Sequence, residues 1–147
     1  MGDAKLINVA CRGIILDGEG NVLLVRRADN GRWVMPAGAM ELDESVLDAL
    51  NREMREETGL EVEEAELVAV YSDPERYSYR SWGCDSQMLA FVFAVTRRSG
   101  ELVRQTPETV DAAFFDPDDL PEDVPALYIE TIEDLKAYRR TGKVIVK

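Results

Sequence analysis

Between Asn51 and Leu60 the chain reads NREMREETGL, which sets three carboxylates, Glu53, Glu56 and Glu57, at the spacing of one helix face. On an exposed helix such neighbours cost only a few tenths of a kcal/mol. Beside a core, where the effective dielectric falls toward about 20, two charges about 4 Å apart repel by roughly 4 kcal/mol. A helical wheel started at Val46 puts Leu47, Leu50 and Met54 on the apolar face and the three glutamates along its edge, turned away from bulk water. Arg52 reaches Glu56 at i,i+4, but one guanidinium cannot neutralise three acids, and Arg55 lies opposite. Protonation, pairing with arginine or a hard divalent cation would each relieve the repulsion. Clustered oxygen ligands without His or Cys suit Mg2+ or Mn2+.

The elements that must hold these acids can be read from the flanks. The spacing predicts a helix that starts near Asp43 to Ser45, with Ser45 and Asp48 placed to cap it, and stops at Gly59. Before it, Pro36 and Gly38 in WVMPAGAM break regular structure and predict an irregular loop. Leu6 to Leu16, the turn DGEGN and the run VLLVRR predict a hairpin. LVAVYS from Leu67 and QMLAFVFAVT from Gln87 predict strands separated by a long loop, DPERYSYRSWGCD. A short strand AAFF precedes a Pro-rich turn, and ALYIETIEDLKAYRR predicts a closing helix with Leu127, Ile132, Leu135 and Tyr138 on one face. Without a repeat, linker or low-complexity tract, residues 1–147 are expected to form one mixed α/β unit.

Composition narrows the chemistry. With 147 residues, 46% of them hydrophobic, the chain can bury a core. It has no histidine, which excludes Ser-His-Asp and Cys-His systems and imidazole zinc sites. Any acid-base work falls to carboxylates, amines, phenols or metal-bound water. Cys11 and Cys84 are too few for a disulfide framework and are expected as buried free thiols. Asp and Glu total 29 against 17 Lys and Arg, a net charge of -12, which argues against a stable nucleic-acid partner. An anionic ligand would need a cation to mediate. No apolar stretch approaches the roughly 18 to 20 residues of a membrane span, so a cytoplasmic protein with no membrane partner is expected.

From Gly38 to Leu60 the chain fits a complete signature, G-x5-E-x7-R-E-U-x-E-E-x-G-U, where U is a bulky aliphatic residue. Gly38, Glu44, Arg52, Glu53, Glu56, Glu57 and Gly59 fill the fixed places, with Met54 and Leu60 at the aliphatic ones. In this the chain resembles the Nudix hydrolases. Outside that stretch the likeness is one of layout: a hairpin before it, W..P.G leading in, and a glutamate, an aromatic pair and a DDLP turn after it. One departure is PAG where many members carry PGG. The resemblance implies an α/β/α sandwich with a central mixed sheet and hydrolysis of a nucleoside diphosphate linked to another group, such as ADP-ribose, a nucleotide sugar or a nucleoside triphosphate. A Nudix-like module that binds nucleotide or metal without turnover is the alternative, for which degraded signature residues would be the sign.

The resemblance further implies that Glu53, Glu56 and Glu57 bind Mg2+ or Mn2+, with the Gly38 carbonyl completing the shell. Arg52 and Glu44 would contact each other and orient the helix against the loop. The general base should be another carboxylate, from Glu53, Glu56 or Glu108. For the nucleotide substrate, Tyr77, Tyr79 and Trp82 could stack on a base and Arg76 or Arg80 could reach phosphates, while Trp33 is expected in the core. The apolar tail VIVK could pair with the strand edge of a second copy, giving a homodimer.

Overall fold

A computed structural model describes residues 5–81 and 84–147, without the side chains of residues 80, 81 and 84. In chain order the elements are β1 (Lys5–Ile15), β2 (Val22–Arg27), β3 (Trp33–Val34), β4 (Ala37–Ala39), α1 (Val46–Thr58), β5 (Leu60–Tyr71), β6 (Ser78–Ser81), β7 (Cys84–Gly100), β8 (Thr109–Phe115), α2 (Ala126–Thr141) and β9 (Ile145–Val146). The main sheet is mixed and runs β4-β1-β7-β5-β9, with β6 also on β7. Strands β1 and β7 pair in parallel from Lys5 opposite Asp85 to Ile15 opposite Val95. A smaller antiparallel sheet runs β3-β2-β8.

Strand β1 is buried on both faces from Cys11 to Ile15, and so demands cover on both sides. Cys11 and Ile15 pack with Leu50 and Met54 of α1. Ile14 packs with Ile132 and Leu135 of α2. Helices thus lie on both faces of the sheet, the α/β/α sandwich. Leu127 and Tyr138 pack at the margin of the α2 core, where the closing helix was expected to bury them. Gly13 lets β1 pack close to α1, since a Cβ there would stand 2.5 Å from the Met54 sulfur.

The expected hairpin is corrected. The turn forms, with Asp17 N donating to Asn21 O at 3.0 Å. Beyond the single bridge Leu16 to Val22, however, β1 and β2 part into different sheets. Each finds a longer partner elsewhere, β1 in β7 and β2 in β8, and burial on both faces outweighs local pairing. The loop expected after Leu67 also holds a strand, β6, paired to β7. Its Tyr77 is core, stacked on Tyr71 with ring centroids 5.2 Å apart. The apolar tail pairs in parallel with β5 of its own chain, Ile145 opposite Ala69, so that edge is used internally. Trp33 packs edge-on to Phe115 at 4.9 Å. Among the described residues no helix is long and apolar enough to cross a membrane.

Candidate active site

Both ends of α1 are pinned, which fixes the directions of its carboxylates. Ser45 Oγ accepts from Asp48 N at 3.0 Å, and Asp48 Oδ2 accepts from Ser45 N at 3.1 Å, a complete capping box. Gly59 ends the helix at φ 78°, and its N–H donates to Arg55 O at 2.9 Å. The buried stripe is Ala49, Leu50, Met54 and Thr58. Leu47, expected within it, is 56% exposed, because the helix is rolled toward Ala49. That roll carries Glu53 and Glu57 into the stripe and leaves Glu56 outside it. The Glu53 side chain is 13% exposed and that of Glu56 58%, which corrects the expectation that all three acids turn away from solvent.

Strand β4 meets the two inner carboxylates with bare backbone. Opposite residues of an antiparallel pair share a face, and Gly38 lies opposite Cys11, whose thiol donates to Val46 O of α1 at 3.4 Å. A Cβ at Gly38 would overlap the Glu53 carboxylate, so any other residue would displace that carboxylate from its place. One residue back, Ala37 N donates to Glu57 Oε2 at 2.8 Å. Ala37 has a negative φ, so the change from glycine in PAG costs no strain.

Arg52 is clamped in the same place. Its Nε and Nη2 fork onto Glu44 at 2.6 and 2.9 Å, Nη2 also donates to Ala39 O at 2.9 Å, and Nη1 donates to Glu53 Oε1 at 2.8 Å. A looser contact reaches Glu56 Oε2 at 3.4 Å. The guanidinium therefore ties the helix to the loop through Glu44 and holds Glu53, in the contact that was expected. The Arg52 fork and the Glu41 N–H hold the Glu44 carboxyl down at about 2.

The inner acids are unlike ordinary ones. Burial pushes the Glu57 carboxyl up to about 8, the nearby charges of Glu53 and Glu108 add to this, and the Ala37 N–H and Arg27 oppose it. Burial also raises Glu53, against the pull of Arg52. Glu57 opens onto a cavity of about 340 Å³ whose lining includes Arg27, Asp29, Val34 and Glu108. Glu108 is placed there by the turn before β8, where Thr106 Oγ1 accepts from Glu108 N at 3.2 Å and Ala28 N donates to Glu108 O at 2.9 Å. A hollow of about 240 Å³ lies between Glu108 and Glu56. Among the described residues no group of three or more acids or thiols is arranged to hold a metal ion. The oxygens of Glu53 and Glu57 instead accept from Arg52 and Ala37.

The residues expected around the substrate are only partly brought together. Arg76 turns to Glu130 of α2 and lies 5.4 Å over the Tyr77 ring. Tyr79 is 48% exposed. Trp82 and the Arg80 side chain lie outside the described residues. Two groups the sequence did not single out reach this end of the fold. Arg27 lines the cavity, forked to Asp29 at 2.9 and 2.6 Å. Tyr128, raised by burial, also senses Arg12, Arg27, Tyr79 and Glu57.

Comparisons with known proteins bear on the family and the fold. A family model described as NUDIX domain matches residues 7–135. A MutT-like protein of Streptomyces ambofaciens is 34% identical over 123 residues, 84% of this chain and 73% of that protein. An ADP-ribose pyrophosphatase of Methanocaldococcus jannaschii is 34% identical over 117 residues, covering 78% of this chain and 64% of the other. A solved MutT protein of Bacillus halodurans superposes with a TM-score of 0.68 at 31% identity, over 85% of this chain and 78% of its own. With every fixed place of the signature filled and folded around one carboxylate edge, this chain belongs to the Nudix hydrolase family.

Proposed function

We propose that the chain hydrolyses the diphosphate bridge of a nucleoside diphosphate linked to another group, yielding a nucleoside monophosphate and a phosphorylated remainder. The observation that carries this reading is the pair Glu53 and Glu57, half-buried against the backbone of Gly38 and Ala37, with Arg52 bonded to Glu53 and a backbone N–H to Glu57. This all-oxygen donor set fits Mg2+ or Mn2+, which Glu53, Glu56, Glu57 and the Gly38 carbonyl would hold. Such a cation supplies charge neutralisation for the diphosphate and acidifies a water.

The chain's own residues do the rest. Arg52, forked on Glu44, keeps Glu53 aimed at Gly38. Arg27, on the wall of the 340 Å³ cavity, meets phosphate oxygens. Water oxygen bonds to phosphorus, the bridging P–O bond breaks, and the departing phosphate keeps the electron pair. The proton lost by that water passes to a carboxylate on the cavity wall, and we assign this to Glu108, which has no ion pair among the described residues. ADP-ribose, nucleotide sugars and nucleoside triphosphates are the substrate classes to try, and the relative named as an ADP-ribose pyrophosphatase supports including the first.

The test is a product screen over these substrates and dinucleoside polyphosphates with Mg2+ or Mn2+. The expected result is release of a nucleoside monophosphate, lowered at least about 100-fold in Glu57→Gln with the fold intact. Binding of nucleotide without cleavage of any substrate would favour the non-catalytic module.

A further inference from the structure

Arg12 is the one charged residue in the buried half of β1 and is 8% exposed. It lies opposite Ala37, one step along from Cys11 and Gly38, and so points to the α2 face of the sheet, away from the acidic helix. Its Nη1 donates to Thr131 Oγ1 at 3.2 Å. Its guanidinium carbon stands 5.0 Å from the Tyr128 ring centroid and 5.9 Å from that of Tyr71. Among the described residues it has no carboxylate partner, and its Nε is the one buried side-chain nitrogen or oxygen without a hydrogen bond.

The comparison with the other arginines gives this meaning. Arg27, Arg52 and Arg55 each use the edge made by Nε and Nη2 to grip a carboxylate with two parallel bonds. In Arg12 the bond to Thr131 occupies Nη1 and leaves that forked edge unused. A buried cation left this way costs free energy that a structural arginine would recover with an acid.

We propose that Arg12 is a substrate-binding residue that grips, through its Nε and Nη2 edge, a group bearing two acceptors side by side on the part of the substrate away from the diphosphate. This rests on the hydrolase reading for the identity of the site. Two sources have that chemistry: the O6 and N7 edge of a 6-keto purine, and the oxygens of a phosphate on the linked group. Arg12 lies opposite Ala37, whose N–H bonds Glu57 on the cavity wall, which puts Arg12 at the same end of the fold as the cavity.

The experiment measures binding without turnover, so that it stands even if no substrate is cleaved. GMP, AMP and ribose 5-phosphate are titrated calorimetrically into the wild type, Arg12→Met and Arg12→Lys, with thermal melts to show that each variant is folded. Loss of GMP affinity by about tenfold or more in both variants, with AMP little changed, supports the keto-purine edge. A comparable loss for ribose 5-phosphate supports the phosphate. Arg12→Lys keeps the charge but cannot fork, so full affinity in that variant overturns the proposal. So does affinity within about twofold for all three ligands in folded Arg12→Met, which would make Arg12 a structural residue.

Discussion

Glu57 keeps a proton in the folded chain that the unfolded chain gives up, and the consequence is a stability that depends on pH in an unusual direction. Its carboxyl rises from 4.5 to about 8 on folding, so between those values the native state binds more protons than the unfolded state. Stability from this group is therefore present below pH 4.5 and is lost as pH rises through about 8. Glu44 works oppositely, lowered to about 2, so its share is present above pH 4.5 and is lost only as pH falls through about 2. In urea titrations of chelator-treated protein, stability is expected to fall from pH 5 to pH 8. Glu57→Gln should flatten that fall, and an unchanged slope in the variant would count against the burial argument. These acids could be found in the sequence because they lie within one short segment with fixed spacing. Arg12, Arg27 and Tyr128 could not, because they come from two strands and a helix far apart in the chain and meet only after folding.

The helix ends were readable for the same reason as its acids, and they carry testable weight. Ser45→Ala removes the Oγ acceptor of the capping box while leaving the backbone N–H of residue 45 to Asp48, and is expected to cost about 1 kcal/mol, a drop of roughly 3 °C in Tm for a domain of this size. Gly59→Ala forces a side chain into the left-handed region at a cost of about 1–2 kcal/mol. It also sets a Cβ 2.7 Å from Val103 Cγ2, so it should lower Tm more than Ser45→Ala does. Calorimetric melts of both variants decide the order, and an equal or smaller effect for Gly59→Ala would mean that the Val103 loop yields freely. The hairpin was misread because a turn signal reports only its own few residues. Asp17 to Asn21 turn as their types require, yet the partner of β1 is decided by β7, whose matching run begins some eighty residues on. The roll of α1 was also hidden. Ala49 is buried and Leu47 exposed, the reverse of what their sizes alone suggest.

The molecule as a whole has a charge of -12, and two half-buried acids, Glu53 and Glu57, lie together against β4. Any cation binding there acts on the folded state alone, since the unfolded chain scatters Glu53, Glu56 and Glu57 into water. Mass action then stabilises the fold by about 2.7 kcal/mol at a hundredfold excess over Kd, roughly 6–10 °C in Tm for this length. General screening of the net charge is a rival cause, and it has a different signature. Monovalent salt at matched ionic strength screens the exposed acids equally well but should reproduce only a small part of the shift. Glu53→Gln and Glu57→Gln should each remove most of the Mg2+ or Mn2+ effect while leaving the response to NaCl as it was. Identical shifts from NaCl and MgCl2, persisting in both variants, would place the cation effect on the whole surface and take away the reason for assigning a divalent site to this edge.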